Sequence, residues 1–82
     1  MAKILYFAAL VEKLGIAFEE VTLPAAVSDV RALLAWLRTR GDNWEHALTE
    51  TGVRVTVNRQ FAALETAIDK SMEIAIVPAR PG

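Results

Sequence analysis

The 82-residue sequence has no cysteine, and that absence removes several chemistries together. Disulfides, iron–sulfur ligation, thiolate zinc sites and a cysteine nucleophile are all excluded. Charge of one sign is also lacking. Nine lysines and arginines face ten aspartates and glutamates, for a net charge of −1, and no basic block occurs. Nucleic acid is therefore not an expected partner. No apolar run is long enough to span a bilayer. Only Lys3 precedes the apolar run from Ile4 to Val11, Glu12-Lys13 ends it, and no small-residue cleavage site follows. Neither a signal peptide nor a membrane helix is expected, and a cytoplasmic location suits the absence of cysteine.

Apolar residues are abundant. They make up 54% of the chain, and the mean hydropathy is +0.30. Such a composition folds rather than staying disordered. The length suits one domain, residues 1–82, which buries roughly 60–65% of the surface of the unfolded chain. The apolar excess predicts that some apolar surface stays exposed for a partner.

Lys3-Ile4-Leu5-Tyr6-Phe7 is apolar on both parities, as an interior strand is. Residues 8–14 read as a short helical turn capped by Gly15. Residues 17–23 read as a second strand, with Ala17, Val21 and Leu23 on one face and Glu19 breaking the pattern; Pro24 ends it. The short connection predicts an antiparallel hairpin.

Residues 28–40 are the clearest helix. Ser28 is the expected N-cap, Val30, Leu33, Leu34 and Leu37 form the apolar stripe, and Gly41 is the expected C′ residue. The stripe is read as core packing. Residues 42–50 suggest a shorter helix with Trp44, Ala47 and Leu48 inward, and with His46 exposed or capping. In residues 53–57, Val53, Val55 and Val57 alternate with Arg54 and Thr56, which predicts a strand buried on one face. Asn58-Arg59-Gln60 reads as a turn, residues 61–63 as a short strand, Asp69-Lys70-Ser71 as a turn, and residues 72–77 as the final strand.

The first and last strands are both apolar on two sides, so they belong side by side at the centre of a mixed sheet. The predicted fold is α+β: a β-grasp, or ubiquitin-like, roll of four to five strands with one main helix across it. Its C-terminus leaves directly from a central strand. The segment 78–82 (Pro78, Ala79, Arg80, Pro81, Gly82) reads as an extended tail, since proline lacks an N–H and cannot extend a helix. Glycine at its tip has no Cβ, so its carboxylate can enter a narrow channel.

The sequence holds no self-contained catalytic constellation. It has no supported Ser/His/Asp set, no Gly-rich phosphate loop and no metal cluster. Glu19 and Glu20, adjacent on a strand, face opposite sides and read as a solvated edge. What remains is the tail. A carboxylate is a poor electrophile and must be activated, usually as an acyl adenylate. The nucleotide site for that step is absent from this sequence, so a partner has to supply it. The activated acyl group can then take sulfide and become a thiocarboxylate.

The opening Lys3-Ile4-Leu5-Tyr6-Phe7-Ala8, the helix over residues 28–40, Thr56-Val57-Asn58, and the run from Asp69 to Pro78 together resemble the small subunits of molybdopterin synthase, the MoaD-like sulfur carriers. The resemblance covers essentially the whole chain. It implies a β-grasp carrier that binds no cofactor and is not catalytic alone. An ATP-using, ubiquitin-activating-like enzyme would adenylate the terminal glycine. The molybdopterin synthase large subunit would then accept the tail and use its sulfur to build the dithiolene. By position, Gly82 is the reactive residue, Pro78, Ala79, Arg80 and Pro81 are the insertion segment, and Phe7, Phe61 and Val77 fall at apolar docking positions.

The family ends in two glycines, whereas this sequence ends in Arg80-Pro81-Gly82. Gly82 is then either the reactive terminus of a variant tail or the penultimate residue of a chain with one more glycine. A carrier for thiamine or tRNA thiolation, a protein modifier, and a non-covalent β-grasp binding module are the alternative readings.

Overall fold

The computed structural model describes residues 1–69 and 72–79; Lys70, Ser71, Arg80, Pro81 and Gly82 lie outside the described residues. Eight elements follow in order: β1 (Ala2–Tyr6), α1 (Ala9–Leu14), β2 (Phe18–Val21), α2 (Val30–Arg38), α3 (Asp42–Ala47), β3 (Val53–Val57), β4 (Gln60–Ala62) and β5 (Glu73–Pro78). The strands form one sheet in the order β2-β1-β5-β3-β4. β1 and β5 pair in parallel, with Ile4 opposite Ile74 and Tyr6 opposite Ile76, and the other pairings are antiparallel. This is the β-grasp arrangement expected from the apolar character of the first and last strands.

The pleat sends alternate residues to opposite faces. Ala2, Ile4 and Tyr6 of β1, Val53, Val55 and Val57 of β3, and Ile74 and Ile76 of β5 turn inward and are buried. They form one core cluster with Val30, Leu33, Leu34 and Leu37 of α2 and with Leu10 and Leu48. The i, i+3, i+4, i+7 stripe of α2 is thus core, as the spacing predicts.

Several local expectations are corrected. The N-cap of α2 is Asp29, not Ser28: its Oδ1 accepts the Ala32 N–H at 2.7 Å. Ser28 is committed elsewhere, because its carbonyl accepts the Ile68 N–H at 2.9 Å and Asp29 forms an isolated bridge with Ala67. That pairing keeps the chain extended until Asp29, and the helix starts one residue later. Gly41 does not terminate α2; Thr39 does, and Gly41 precedes α3, its carbonyl accepting the Glu45 N–H at 2.9 Å. Its φ of 151° is one that a side chain rarely tolerates. Gly15 does cap α1, with φ of 75° and its N–H on the Val11 carbonyl at 2.8 Å. The turn between β3 and β4 places both Asn58 (φ 51°) and Arg59 (φ 72°) in the left-handed region, as a two-residue hairpin with the right twist requires. Of the expected turn at Asp69-Lys70-Ser71, the last two residues lie outside the described ones.

Glu19 is the largest departure. It is not part of a solvated edge but lies on the inner face of β2, its side chain 14% exposed. Its Oε2 accepts the Tyr6 hydroxyl at 2.7 Å and Arg40 Nη1 at 2.7 Å. The Arg40 guanidinium in turn stacks between Trp36 and Trp44, 5.4 and 4.7 Å from the ring centroids, and Trp44 meets Tyr6 edge-on at 5.6 Å. A carboxylate that breaks an apolar pattern is tolerated here because every group facing it is a donor or a ring. Glu20, on the opposite parity, is exposed.

Burial raises the Glu19 carboxyl, but the bonds from Arg40 and Tyr6 and the attraction of Arg40 outweigh it, so its pKa lies below the ordinary value. Burial, reinforced by the Glu19 carboxylate, raises the Tyr6 phenol well above its usual value. Because the folded pKa of Glu19 is depressed, its contribution to stability is present above the unfolded value, about 4.3, and fades as pH falls through the folded one. Glu19→Gln should therefore flatten the acid limb of a denaturation-versus-pH series while leaving the neutral-to-alkaline limb in shape. Arg40→Ala leaves a largely buried carboxylate with one partner and should cost about 1–3 kcal/mol by urea titration. Ala8 precedes α1 at φ 55°, ψ −134°, a region that glycine occupies more easily. Ala8→Gly should raise the urea midpoint, by about 1 kcal/mol in stability.

Candidate functional site

All the helices leave one face of the sheet open. The same pleat that buries Ile4, Val55 and Ile76 turns Lys3 and Leu5 of β1, Phe18 and Glu20 of β2, Arg54 and Thr56 of β3, Phe61 of β4, and Glu73, Ala75 and Val77 of β5 the other way. Phe7 continues the parity one residue past β1, and its N–H donates to the Ile76 carbonyl at 3.2 Å, which holds it next to Val77. Phe7, Phe18 and Phe61 are 44%, 45% and 71% exposed. Three large aromatic side chains are thus left exposed on one face of the sheet, a pattern common in interaction surfaces.

The rows of this face follow from the register. Leu5 lies opposite Phe18 on one side and Ala75 on the other; Ala75 lies opposite Thr56, and Thr56 opposite Phe61. The next row towards the C-terminal end of β5 carries Phe7, Val77 and Arg54, with Val77 directly opposite Arg54. At roughly 4.8 Å per strand, the face spans about 19 Å from β2 to β4. Two cations lie over rings on it, Lys3 Nζ 5.5 Å from the Phe18 centroid and the Arg54 guanidinium 5.8 Å from that of Phe61.

The tail root adjoins this face. Pro78 is not the first tail residue but the last residue of β5, opposite Val53, and the Ala79 N–H donates to the Gly52 carbonyl at 3.0 Å. The proline removes a single donor, and the pairing resumes at the next residue. Arg80, Pro81 and Gly82, the remaining expected tail residues, lie outside the described residues. A groove of about 360 Å³ sits against Pro78, lined also by Leu10, Lys13, Thr51 and Gly52.

Phe7, Phe61 and Val77 are therefore brought to one face, with Phe7 and Val77 on neighbouring strands at the tail root and Phe61 on the far edge strand. Phe18 and Arg54 belong with them and were not singled out by sequence; their strand parity was the available signal. His46 is not among them. It is exposed on α3, its Nδ1 2.8 Å from the Asp42 carbonyl, while Glu50 is engaged by Arg31 at 3.5 Å. Among the described residues no group of three potential metal ligands converges, and no helix is long and apolar enough to cross a membrane.

Three comparisons bear on this geometry. The model of the ThiS family matches residues 4–82. Among solved structures, a Pyrococcus furiosus protein provisionally assigned as molybdopterin converting factor subunit 1 is similar at a TM-score of 0.77 and 22% identity, over 94% of each chain. SAMP1 of Haloferax volcanii is similar at a TM-score of 0.67 and 27% identity, over 99% of this chain and 97% of that one. A second structure of that organism's small archaeal modifier protein 1 gives 0.65 and 27%, over 94% of each chain. Among curated proteins no sequence matches significantly.

Since Phe61 touches little of the core, Phe61→Ala should change stability by less than about 0.5 kcal/mol. If the face docks a protein, Phe7→Ala should weaken that complex roughly tenfold or more, as truncation of a central aromatic anchor does. Thermal melts and a calorimetric titration with the partner, run on the same preparations, check both.

Proposed function

We propose that this chain, which belongs to the ThiS family of ubiquitin-fold sulfur carriers, is the sulfur-carrying subunit of a molybdopterin synthase. One observation carries the reading. β5 runs through the middle of the sheet and ends next to Phe7, so the chain leaves the sheet beside the apolar face that a partner would cover. The whole-chain likeness of the fold to the Pyrococcus furiosus protein agrees with it.

The chemistry proceeds at the carboxylate of the terminal glycine, Gly82 in this sequence. A carboxylate oxygen attacks the α-phosphorus of ATP in the active site of a ubiquitin-activating-like enzyme, and pyrophosphate leaves. The sulfur of a sulfide donor attacks the acyl carbon of the adenylate. The acyl C–O bond breaks, AMP leaves, and a thiocarboxylate remains. This chain's part is to hold the apolar face against its partner while the tail reaches the reacting atoms, which limits the loss of translational freedom at each transfer. In the large subunit the thiocarboxylate sulfur bonds to a carbon of the precursor, water then cleaves the acyl C–S bond, and the glycine returns as a carboxylate while the sulfur stays on the precursor.

A second reading draws on the 27% identity to a small archaeal modifier protein: the same activated glycine would be joined to another protein or pass its sulfur elsewhere. The two share the adenylate and differ in the acceptor.

The test uses the full-length native chain with the adenylating enzyme of its own organism, ATP and a sulfide source. Intact mass should shift by the replacement of one oxygen by one sulfur, and the product should convert molybdopterin precursor when the large subunit is added. No mass shift overturns the carrier reading, and a mass shift with no conversion overturns the molybdopterin assignment. Deleting Pro81 and Gly82 should abolish the shift yet leave most of the docking affinity.

A further inference from the structure

The open face is not evenly charged. At the end of the sheet near the β3–β4 turn, Lys3 lies between two acids in the register, opposite Glu20 on β2 and opposite Glu73 on β5. Arg59, in the turn, pairs with the same Glu73 at 3.8 Å. Two cations and two carboxylates thus sit together and offset one another.

The row at the other end holds Arg54. It faces Val77 on β5, and Phe61 on β4 lies diagonally beside it. Among the described residues Arg54 has no ion pair. Glu50 shares a groove with Arg54 and Phe61, but its Oε2 is 3.5 Å from Arg31 Nε. The guanidinium is instead laid against the Phe61 ring at 5.8 Å. A ring engages the guanidinium through its charge and not through its N–H groups, which remain for an acceptor from outside.

Val77 and Arg54 are neighbours in one row, so a protein that covers Val77 also covers Arg54. Stripping water from a guanidinium without giving it an acceptor is costly, and a carboxylate is its matching acceptor. We propose that Arg54 is the specificity-determining residue of this face, and that the occupant is a partner protein presenting an aspartate or glutamate inside an apolar socket. The apolar residues give the contact its area; Arg54 selects which socket fits. This inference rests on the reading that the open face docks the adenylating partner.

The test uses the full-length chain and the purified adenylating enzyme, with calorimetric affinities at low and at high salt. Arg54→Leu should weaken binding about tenfold and flatten its salt dependence, while Arg54→Lys loses less. Arg54→Glu should weaken it further, and reversing one acidic residue of the partner to lysine should restore that variant alone. Arg54 is exposed, and coincident thermal melts confirm that each variant folds. If Phe7→Ala weakens binding while both Arg54→Leu and Arg54→Glu match the wild type, the docking reading stands and the role of Arg54 is overturned. If all three match the wild type while thiocarboxylate still forms, docking on this face is overturned with it. Absence of wild-type binding overturns both. A wild-type dimer that Arg54→Leu dissociates, with adenylating-enzyme affinity unchanged, overturns the proposal in favour of a second copy of this chain.

Discussion

The side-by-side pairing of β1 and β5 is the constraint on which the other features depend. Parallel neighbours cannot be joined by a tight turn. The chain between them has to cross the sheet, and here it does so with α2 and α3 in the helical layer and β3 and β4 on the far side. Because the helices all gather on one face, the other stays open. Because β5 is interior, its end emerges from the middle of the sheet rather than from an edge. An apolar face and a central exit are therefore two results of one pairing, not separate adaptations.

Much of the fold was legible because the signals were local and periodic. The leucine stripe of α2 and the valine alternation of β3 each need only their own neighbours to be read. Most of the misreadings involve a residue whose partner is distant in the chain. Ser28 has a good capping side chain, but pairing of its carbonyl with Ile68 decided where the helix begins. Glu19 looked misplaced because its partners, Tyr6 and Arg40, lie 13 and 21 residues away. Gly41 sits between two helices, and sequence gives no means of choosing which one it serves.

The site divides in the same way. Phe7 and Val77 stand on the second apolar parity of interior strands, a pattern visible without knowing any neighbour, whereas placing Phe61 beside them needed the resemblance to known carriers. Arg54 and Phe18 become members only once the register is known, since their importance lies in facing Val77 and Leu5. The same register separates balanced charge near the β3–β4 turn from unbalanced charge near the tail. Composition, with a net charge of −1, averages that difference away.

The interior position of β5 also orders events during synthesis. A ribosome releases the chain from its amino end, and until residues 73–78 emerge β1 has no neighbour but β2 and β3 none but β4. Two hairpins without a shared strand are marginal in water, and contacts between distant ends form late. A nascent or truncated chain lacking β5 thus has no assembled open face. The open face and the end of β5 are therefore completed in the same step.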